Sequence, residues 1–445
     1  MMELVDQFKI PASNINLLPK LSYKDLNGID KLLQDNNNDA NMQLDDIQRK
    51  QLILCLLLLI VDNESHVLKI VDKLLHPQEG LVVNREDIIK WLVDRLQPLL
   101  LKNSANTNAS DLQKVKYKFD NGIKKNILLN TKLRLNMFQD DDDEKLKWKQ
   151  NGGLNSIPLM YGILKLLHRN EISSNLWWIN PAILNLLDDT TDLQGIVLKG
   201  VLLLNIFLQK FETFDKDDKW ITFKDTGLFQ LYEPLLKKMC YFIPPMNKEQ
   251  ESIQVMTLVF PVLNQLYYVE FERDLKERNK RISEVVSEIL LQNIIPRLDL
   301  KYNKLLITLF DILIENIKIL KTQSVIHLQR IIYVLGQYFV KNPFITLYED
   351  VIIKILELVS NLIEECPSER LVFHKYDLLG LEIMILLKCR QEGLIVKEEV
   401  NDIIISLKKI MKQLESKGCN FEVDEKEMLI SKHEDVRILF LYTDR

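Results

Sequence analysis

The amino-acid sequence predicts an all-α protein, built as a HEAT-like α-solenoid of antiparallel helix pairs. Gly and Pro number only 13 each among 445 residues, whereas average usage is about 7% and about 5%. Sandwiches, barrels and dinucleotide-binding α/β folds need more of both residues for their tight turns and phosphate loops. Leu and Ile together supply more than a quarter of the chain. The predicted helix pairs recur about every 40–50 residues, which is the period of HEAT-type repeats.

The N-terminal part of the chain is predicted to be less regular than the rest. Residues 1–40 end in an Asn- and Asp-rich stretch and are interpreted as a partly ordered arm. An N-terminal helical region is expected over residues 41–150, and it ends in an acidic loop, Asp140–Glu144, before Asn151-Gly152-Gly153. This acidic run is either a solvated loop or a docking site for a basic partner. The helices of this region are predicted near 44–61, 65–75 and 85–102.

Residues 151–420 are predicted to form the HEAT-like repeat array, and residues 421–445 a C-terminal tail. Pro234 and Pro261 fall inside two of the predicted helices, so each helix is expected to be kinked or split there. The helices of the array are predicted near 156–168, 171–188, 192–211, 226–241, 249–270, 279–296, 301–321, 324–341, 345–366, 369–391 and 396–416.

The hydropathy patterns of two of these helices predict how they pack. In 301–321 the polar residues recur at steps of three and four and form one narrow stripe, so this helix must be covered on more than one side. In 396–416 the apolar residues form a single face, as expected of a terminal, half-covered helix. The polar stripe consists of Lys304, Thr308, Asp311, Glu315 and Lys318. The apolar face consists of Ile403, Ile404, Leu407, Ile410, Met411 and Leu414.

Charge and composition exclude several classes of protein. Lys and Arg total 58 and Asp and Glu total 63, giving a net charge of -5, which excludes a generally basic nucleic-acid-binding protein. The strongest apolar run, Leu52–Val61, is too short to cross a bilayer, and the first residues lack the pattern of a secretory signal. Five scattered Cys residues indicate reduced core thiols. We therefore expect a cytoplasmic and nuclear protein that binds neither nucleic acid nor membrane.

The segment 177–200 carries the most specific pattern in the chain. Its Asn180 and Pro181 suit the capping and first positions of a helix. Alternatively, Pro181 kinks a helix that begins near Glu171. The sequence leaves both arrangements open.

The second half of this segment resembles the turn of a HEAT unit. Asp188 and Asp189 fall at the end of the first helix, and Asp192 is expected to cap the next one. Gly200 would let that next helix approach its neighbour closely, at some cost in helix propensity. Such a unit has proline and leucines in its first helix, an aspartate at the turn and a small residue in its second helix.

A competing hypothesis assigns chemistry to the same aspartates. Asp188, Asp189 and Asp192 form a DDxxD sequence, and such aspartates bind Mg²⁺ and a substrate diphosphate in all-helical prenyltransferases and terpene synthases. However, no paired arginines follow Asp192, and no second Asp-rich motif stands at a suitable distance. A capped helix turn explains the three aspartates more simply.

The adjacent Trp177 and Trp178 are candidates for partner binding. Neighbouring residues on a helix cannot face the same way, so one of the two rings can be exposed, as interface hot spots often are. The alternative is that both are buried between neighbouring repeats. Together with the turn, the candidates for partner binding or for a structural turn are Trp177, Trp178, Pro181, Asp188, Asp189, Asp192 and Gly200.

The run from Asn180 to Asp189, with Gly195 and Gly200 downstream, resembles the family of TELO-two-interacting protein two, the smallest subunit of the TTT co-chaperone complex. The similarity is clearest over residues 156–330. This resemblance implies an α-solenoid that binds TELO-two-interacting protein one directly and the Tel-two subunit. It also implies an indirect role, with the ninety-kilodalton heat-shock chaperone, in the maturation of phosphatidylinositol-three-kinase-related kinases such as ATM, ATR and TOR.

Motif searches give no support for catalysis. The sequence contains no G-x-S-x-G elbow, no H-E-x-x-H and no P-loop, and its six His residues are dispersed. We therefore expect no catalytic residues, no metal and no cofactor. The leading hypothesis is a non-enzymatic scaffold of a TTT-type complex. The alternatives are a magnesium-dependent prenyl-diphosphate enzyme that uses the DDxxD segment, or another HEAT-repeat adaptor.

Overall fold

A computed structural model describes residues 20–35, 44–61, 63–76, 84–100, 146–189, 191–212, 221–395 and 401–440. Within these ranges every regular element is a helix, which confirms the prediction of an all-α fold. The acidic run Asp140–Glu144 lies outside the described residues, so both of its interpretations stay open. The chain divides into two compact units, Met1–Thr222 and Phe223–Arg445. The predicted domain boundaries stay predictions.

The first unit contains seven described helices that pack as neighbouring pairs. The helix α2 packs against α3 and α5, α4 packs against α5, and α7 packs against both α5 and α6. The seven helices are α1 (Tyr23–Asp35), α2 (Asp46–Leu57), α3 (Glu64–Leu75), α4 (Arg85–Leu100), α5 (Ser156–Leu166), α6 (Arg169–Leu187) and α7 (Leu198–Gln209). A π-helical turn, Leu193–Val197, leads into α7.

Local sequence explains how these helices begin. At the start of α2, the Asp45 side chain accepts from backbone N–H groups while Gln48 reaches back to the Asp45 backbone N–H, at 2.9 Å. Such a reciprocal capping box satisfies two donors that a helix start otherwise leaves unpaired. The helix α1 lies within the arm that was predicted to be only partly ordered.

The second unit contains twelve described helices. They are α8 (Phe223–Thr226), α9 (Phe229–Met239), α10 (Glu249–Glu270), α11 (Leu275–Glu284), α12 (Asn303–Leu320), α13 (Leu328–Val334), α14 (Glu349–Glu365), α15 (Ser368–Phe373), α16 (Lys375–Gln391), α17 (Asp402–Ser416), α18 (Val423–Lys432) and α19 (Arg437–Phe440). Two of them continue as π-helical stretches, α11 into Val285–Ile294 and α13 into Leu335–Val340.

The helices of the second unit form two layers. In the inner layer α10, α12, α14 and α17 pack side by side in chain order. In the outer layer α13 lies between the π-helical continuation of α11 and α16, and each of these helices is joined to the next inner helix by a short connection. Short connections between packed helices make antiparallel pairs, so the unit is a stack of HEAT-like helix pairs, as predicted.

The packing of α12 agrees with its sequence pattern, because α10 and α14 cover it on two sides and its predicted polar stripe remains at the surface. The prediction for 396–416 was partly wrong. All six residues of its apolar face are buried in α17, but α17 is not terminal, because α18 and α19 follow it and α19 packs against it. The segment that was predicted to be a tail therefore contains two helices.

Four prolines lie inside continuous helices, and the first of them is Pro98 near the end of α4. Pro181 is in the interior of α6, which begins at Arg169, so the alternative in which Asn180 caps a new helix was wrong. Pro234 and Pro261 lie within α9 and α10, and neither helix is split there. An internal proline costs about 3 kcal/mol, so tertiary packing has to offset that loss in each helix.

Lysine side chains tie successive helix pairs together. Lys210, just after α7, donates to the carbonyl oxygens of Lys165 and Leu167 at the end of α5, at 3.0 and 2.8 Å. In the second unit Lys388 donates to Val340 O at 2.6 Å and Asn342 O at 2.9 Å. The last carbonyls of a helix have no partner within the helix and carry partial negative charge. Each lysine therefore satisfies the end of a helix that lies 43 to 48 residues earlier in the chain.

Candidate interaction surfaces

The turn after α6 is organised by Asp189. Asp188 ends the helix as its C-terminal cap, whereas Asp189 is buried. The Asp189 Oδ1 atom accepts three hydrogen bonds, from Thr191 N and Thr191 Oγ1 at 2.8 Å each and from Asp192 N at 3.1 Å. A buried carboxylate that accepts backbone N–H groups fixes the path of the chain, so Asp189 holds this turn in place.

Asp192 begins the next helical segment. Its Oδ1 atom accepts from Gly195 N at 2.7 Å, and its Oδ2 atom lies 3.7 Å from Lys149 Nζ. Lys149 Nζ also donates to Thr191 Oγ1 at 3.0 Å. These contacts give Asp189 and Asp192 local capping roles, which supply a physical reason for the DDxxD sequence without a diphosphate. Among the described residues, no group of three or more His, Cys, Asp or Glu side chains is placed to hold a metal ion.

Gly200 lies where α7 passes close to α6. A Cβ atom built at this position would lie 2.9 Å from Leu186 Cβ and 3.2 Å from Leu187 N. Because one of these atoms belongs to the backbone, a side chain could be accommodated only if the helices moved apart. Gly200 therefore has a structural role in the packing of this helix pair.

The two tryptophans of α6 have different environments. Trp178 is 3% exposed, and its Nε1 donates to Asn175 Oδ1 at 2.8 Å. Trp177 is 36% exposed, so the arrangement with both rings buried is not observed. Pro181 also lies on the exposed side of α6. Of the predicted candidates, Trp177, Pro181 and Asp188 are accessible to a partner, and partner binding at these residues stays a prediction.

The buried thiols and imidazole are held in unreactive forms. All five cysteines are buried and none forms a disulfide. Burial raises the pKa of the Cys55 and Cys240 thiols to about 12, so they stay protonated and are poor nucleophiles. His327 pairs with Ser283 Oγ at 2.7 Å, and burial lowers its pKa to about 4. These groups belong to the core, and the His327–Ser283 bond joins the start of α13 to α11.

Large apolar side chains recur at one type of corner in the second unit. Each lies within two residues of the start of α11, α13, α16 or α18, after the chain has left an inner helix. All four are more than half exposed, and they follow one another at intervals of 51, 47 and 50 residues. We call these four residues the corner row: Leu275, Ile326, Phe373 and Val423.

The corner row exposes large apolar side chains to solvent, which is unfavourable unless a partner covers them. The outer helices α13 and α16 are neighbours, and the π-helical continuation of α11 packs against α13. Packed helices lie about 8–10 Å apart, so Leu275, Ile326 and Phe373 extend over roughly 16–20 Å. Single exposed hydrophobic residues are normal, whereas grouped ones mark interaction surfaces, so the repetition at one type of corner makes the row a candidate for such a surface. Sequence reasoning missed this row, although its interval of about 50 residues is visible in the sequence. No described helix is long and apolar enough to span a bilayer.

Comparison with known proteins finds relatives of this chain. A model of the Tti2 family matches residues 60–347. The chain is also 39% identical over 360 residues to TEL2-interacting protein 2 of Saccharomyces cerevisiae, with 80% of each chain covered. The chain belongs to the Tti2 family. The family resemblance inferred from the run Asn180–Asp189 is thereby confirmed.

The Tti2 match covers parts of both units. It includes the turn at Asp189, Gly200 and Trp177 in the first unit, and it extends through α13 in the second. Two members of the corner row, Leu275 and Ile326, lie within the matched range. The other two members, Phe373 and Val423, lie beyond its end at residue 347.

Proposed function

We propose that this chain is a non-enzymatic scaffold subunit of a TTT-type co-chaperone complex. The observation that carries the proposal is the match to the Tti2 family over residues 60–347. The yeast relative is named for an interaction with TEL2, and a homologous chain of similar length is suited to the same role. The complex would support the maturation and stability of phosphatidylinositol-three-kinase-related kinases, and through them telomere maintenance, the DNA damage response and TOR signalling.

The proposed partners follow from the family. The chain would bind TELO-two-interacting protein one directly and would assemble with the Tel-two subunit. The kinases and the ninety-kilodalton heat-shock chaperone would be reached indirectly through these subunits. The proposed location is the cytoplasm and the nucleus, where the complex would contact the chaperone and the client kinases.

The geometry supports a role in assembly. Helical repeat arrays present long surfaces that bind partners by shape and apolar contact. The corner row offers such a contact, because four large apolar side chains are exposed at equivalent positions near the starts of four helices. We propose that a subunit of the complex covers this row. Trp177 on the first unit is a second candidate contact.

The proposal that the chain is not an enzyme is supported by the roles of the aspartates. Asp189 accepts three hydrogen bonds within its own turn, and Asp192 caps the following helix. A diphosphate-binding site would need these carboxylates to point together at a shared Mg²⁺ ion. Here they are directed at separate backbone donors.

The test is purification of the tagged full-length chain from its native cells at moderate salt, with each co-purifying chain identified and quantified. Two near-stoichiometric large helical proteins, with smaller amounts of very large kinases, would support the proposal. A different stoichiometric set would favour another HEAT-repeat adaptor. A solitary chain would contradict the scaffold, and it would call for an assay of prenyl-diphosphate turnover at millimolar Mg²⁺.

Two matched variants test the corner row in the same experiment. Phe373 is 77% exposed and lies within the row, whereas Met246 is 91% exposed and lies in the connection between α9 and α10. Phe373→Asp is expected to reduce the recovery of partners at least severalfold, and Met246→Asp is expected to leave it unchanged. Equal recovery with both variants would remove the corner row from the interface. Trp177→Ala tests the candidate in the first unit in the same way.

A further inference from the structure

One stretch of the second unit contains no acidic side chain. The 33 residues from 316 to 348 contain four lysine or arginine residues and no Asp or Glu. The chain as a whole has 63 acidic residues in 445, so about five would be expected in a stretch of this length. The stretch includes α13, its flanking turns and its π-helical continuation. One outer helix therefore differs in charge from the rest of the protein.

The exposed side of this helix combines cations with aromatic rings. The residues recur at steps of three to five along α13, its continuation and the turn that follows, and all of them are exposed. We call this set the basic–aromatic face, and it consists of Arg330, Tyr333, Tyr338, Lys341 and Phe344. The three rings are about half exposed. Since an aromatic side chain buries about 150–250 Å² when it is covered, the rings offer about 300 Å² of contact area.

The local backbone brings the two tyrosines together. Tyr333 and Tyr338 are five residues apart, and their ring centroids lie 6.4 Å apart in an edge-to-face arrangement. Five residues is the hydrogen-bond spacing of a π-helix, and the stretch Leu335–Val340 has this conformation. At Gly336, between the tyrosines, an added Cβ atom would meet no atom within 4 Å. The backbone between the rings is therefore uncovered.

The cations of this face contact uncharged groups. The Arg330 guanidinium lies over the Tyr333 ring, 5.5 Å from its centroid, and Lys341 Nζ donates to the neutral Gln337 side chain at 2.9 Å. Neither cation forms an ion pair with a carboxylate of the described residues. By contrast, Lys354 in the inner layer contacts two carboxylates, those of Asp311 and Glu357, at 2.8 and 2.7 Å.

We propose that the basic–aromatic face binds an acidic segment of a partner protein, in which carboxylates alternate with large apolar side chains. Charge complementarity decides the class of partner, because carboxylates would pair with Arg330 and Lys341 while apolar groups cover the three rings. From Arg330 to Val340 the helical part of the face extends about 15 Å, at a helical rise of about 1.5 Å per residue, and the turn that carries Lys341 and Phe344 lengthens it. An extended segment of about six residues would cover it.

A partner protein is favoured over nucleic acid by the number of charges. Binding to a phosphate backbone needs many cations along a continuous path, whereas this face has two cations between aromatic rings. The inference goes beyond the proposed function, because an acidic segment on α13 is a separate contact from the corner row. The recovery of TTT-type subunits does not depend on it.

The test uses a random twelve-residue peptide library displayed on phage and selected on the immobilised full-length chain. The same library is selected on the double variant Arg330→Glu/Lys341→Glu, and peptides that are enriched on both are discarded. We expect the remaining peptides to carry three or more Asp or Glu residues with interspersed Phe, Leu, Tyr or Trp. Enrichment of neutral or basic peptides, or no enrichment over the double variant, would overturn the proposal.

The affinity of one selected peptide then tests the face residue by residue. With a fluorescein label on the peptide, anisotropy titrations should show about tenfold weaker binding to Arg330→Glu and weaker binding to Tyr333→Ala. The control Lys412→Glu, an exposed cation on α17, should bind as the wild type does. Equal weakening by Lys412→Glu would overturn the specific site. Tighter binding of a single-stranded oligonucleotide than of the peptide would overturn the assignment to a protein partner. The assignment would also be overturned if sedimentation showed that the chain forms a dimer that depends on Arg330.

Discussion

The close approach at Gly200 gives a quantitative prediction. In Gly200→Ala the new Cβ atom would lie 2.9 Å from Leu186 Cβ, 3.2 Å from Leu187 N and 3.3 Å from Leu186 C. Real Cβ contacts essentially never fall below 3.0 Å, and two of the three contacts are with backbone atoms. The helix α7 must therefore shift away from α6, and overpacking of this kind costs about 1–3 kcal/mol.

A second term acts in the opposite direction. Replacing glycine by alanine inside a helix gains about 1 kcal/mol of helix propensity. The net effect of Gly200→Ala is then a loss of about 0–2 kcal/mol of unfolding free energy. Gly380 in α16 is the matched control, because a Cβ atom there meets nothing within 4 Å. Gly380→Ala should gain about 1 kcal/mol, so the two substitutions should differ by about 1–3 kcal/mol.

Urea unfolding can measure the two effects separately. All tryptophans lie in the first unit, at positions 91, 148, 177, 178 and 220, so intrinsic fluorescence follows that unit. Far-UV circular dichroism follows both units. Gly200→Ala should lower the fluorescence midpoint, whereas Gly380→Ala should leave it unchanged and raise the stability seen by circular dichroism. The reasoning is refuted if Gly200→Ala stabilises the first unit by as much as Gly380→Ala stabilises the second.

Three further substitutions test the contacts described above. Asp189→Ala removes the acceptor of three hydrogen bonds and should lower the unfolding free energy followed by fluorescence by about 1–3 kcal/mol. The control Asp188→Ala, at an exposed cap, should lower it less. Equal losses would contradict the role of Asp189. Glu382 is fully buried without a hydrogen-bond partner among the described residues, and burial raises its pKa well above 4.5. The folded chain then keeps a proton that the unfolded chain releases, so wild-type stability falls as the pH rises above about 4.5. Glu382→Gln should be more stable than the wild type, by a margin that grows from pH 5 to pH 8 in urea unfolding; a margin independent of pH would contradict this cause. Lys388→Met loses two hydrogen bonds to helix-end carbonyls and should lower the unfolding free energy followed by circular dichroism by about 1–3 kcal/mol. The surface control Lys412→Met should leave it almost unchanged. Equal losses would contradict the role of Lys388 in capping the earlier helix.

Much of the helical pattern could be predicted from the sequence. The residues of 301–321 place their polar groups at steps of three and four, and this pattern identifies a helix covered on two sides before any neighbour is known. The same logic failed for 396–416, because a single apolar face shows that a helix is half covered but not that the chain ends there. The weakly patterned residues after 420 nevertheless form α18 and α19.

The candidate site was predicted less completely than the fold. Asn180-Pro181 fits the start of a helix and the interior of a longer helix equally well in local sequence. In the structure the longer helix is formed, and α6 packs against α7 along it. Similarly, two adjacent tryptophans must face different ways, but only the neighbouring helices decide which one is covered. Trp178 became the buried residue, and Trp177 remained at the surface.

By itself, the sequence determined the all-α class, the approximate repeat length, the buried thiols and the family, because these depend on composition, local periodicity and short motifs. The tertiary structure alone decided which helix ends are capped by lysines such as Lys210 and Lys388. It also decided which apolar residues remain uncovered, as in the corner row and the basic–aromatic face. The physical reason is that a side chain one repeat away, 40 to 50 residues along the chain, becomes a neighbour only after the helix pairs stack.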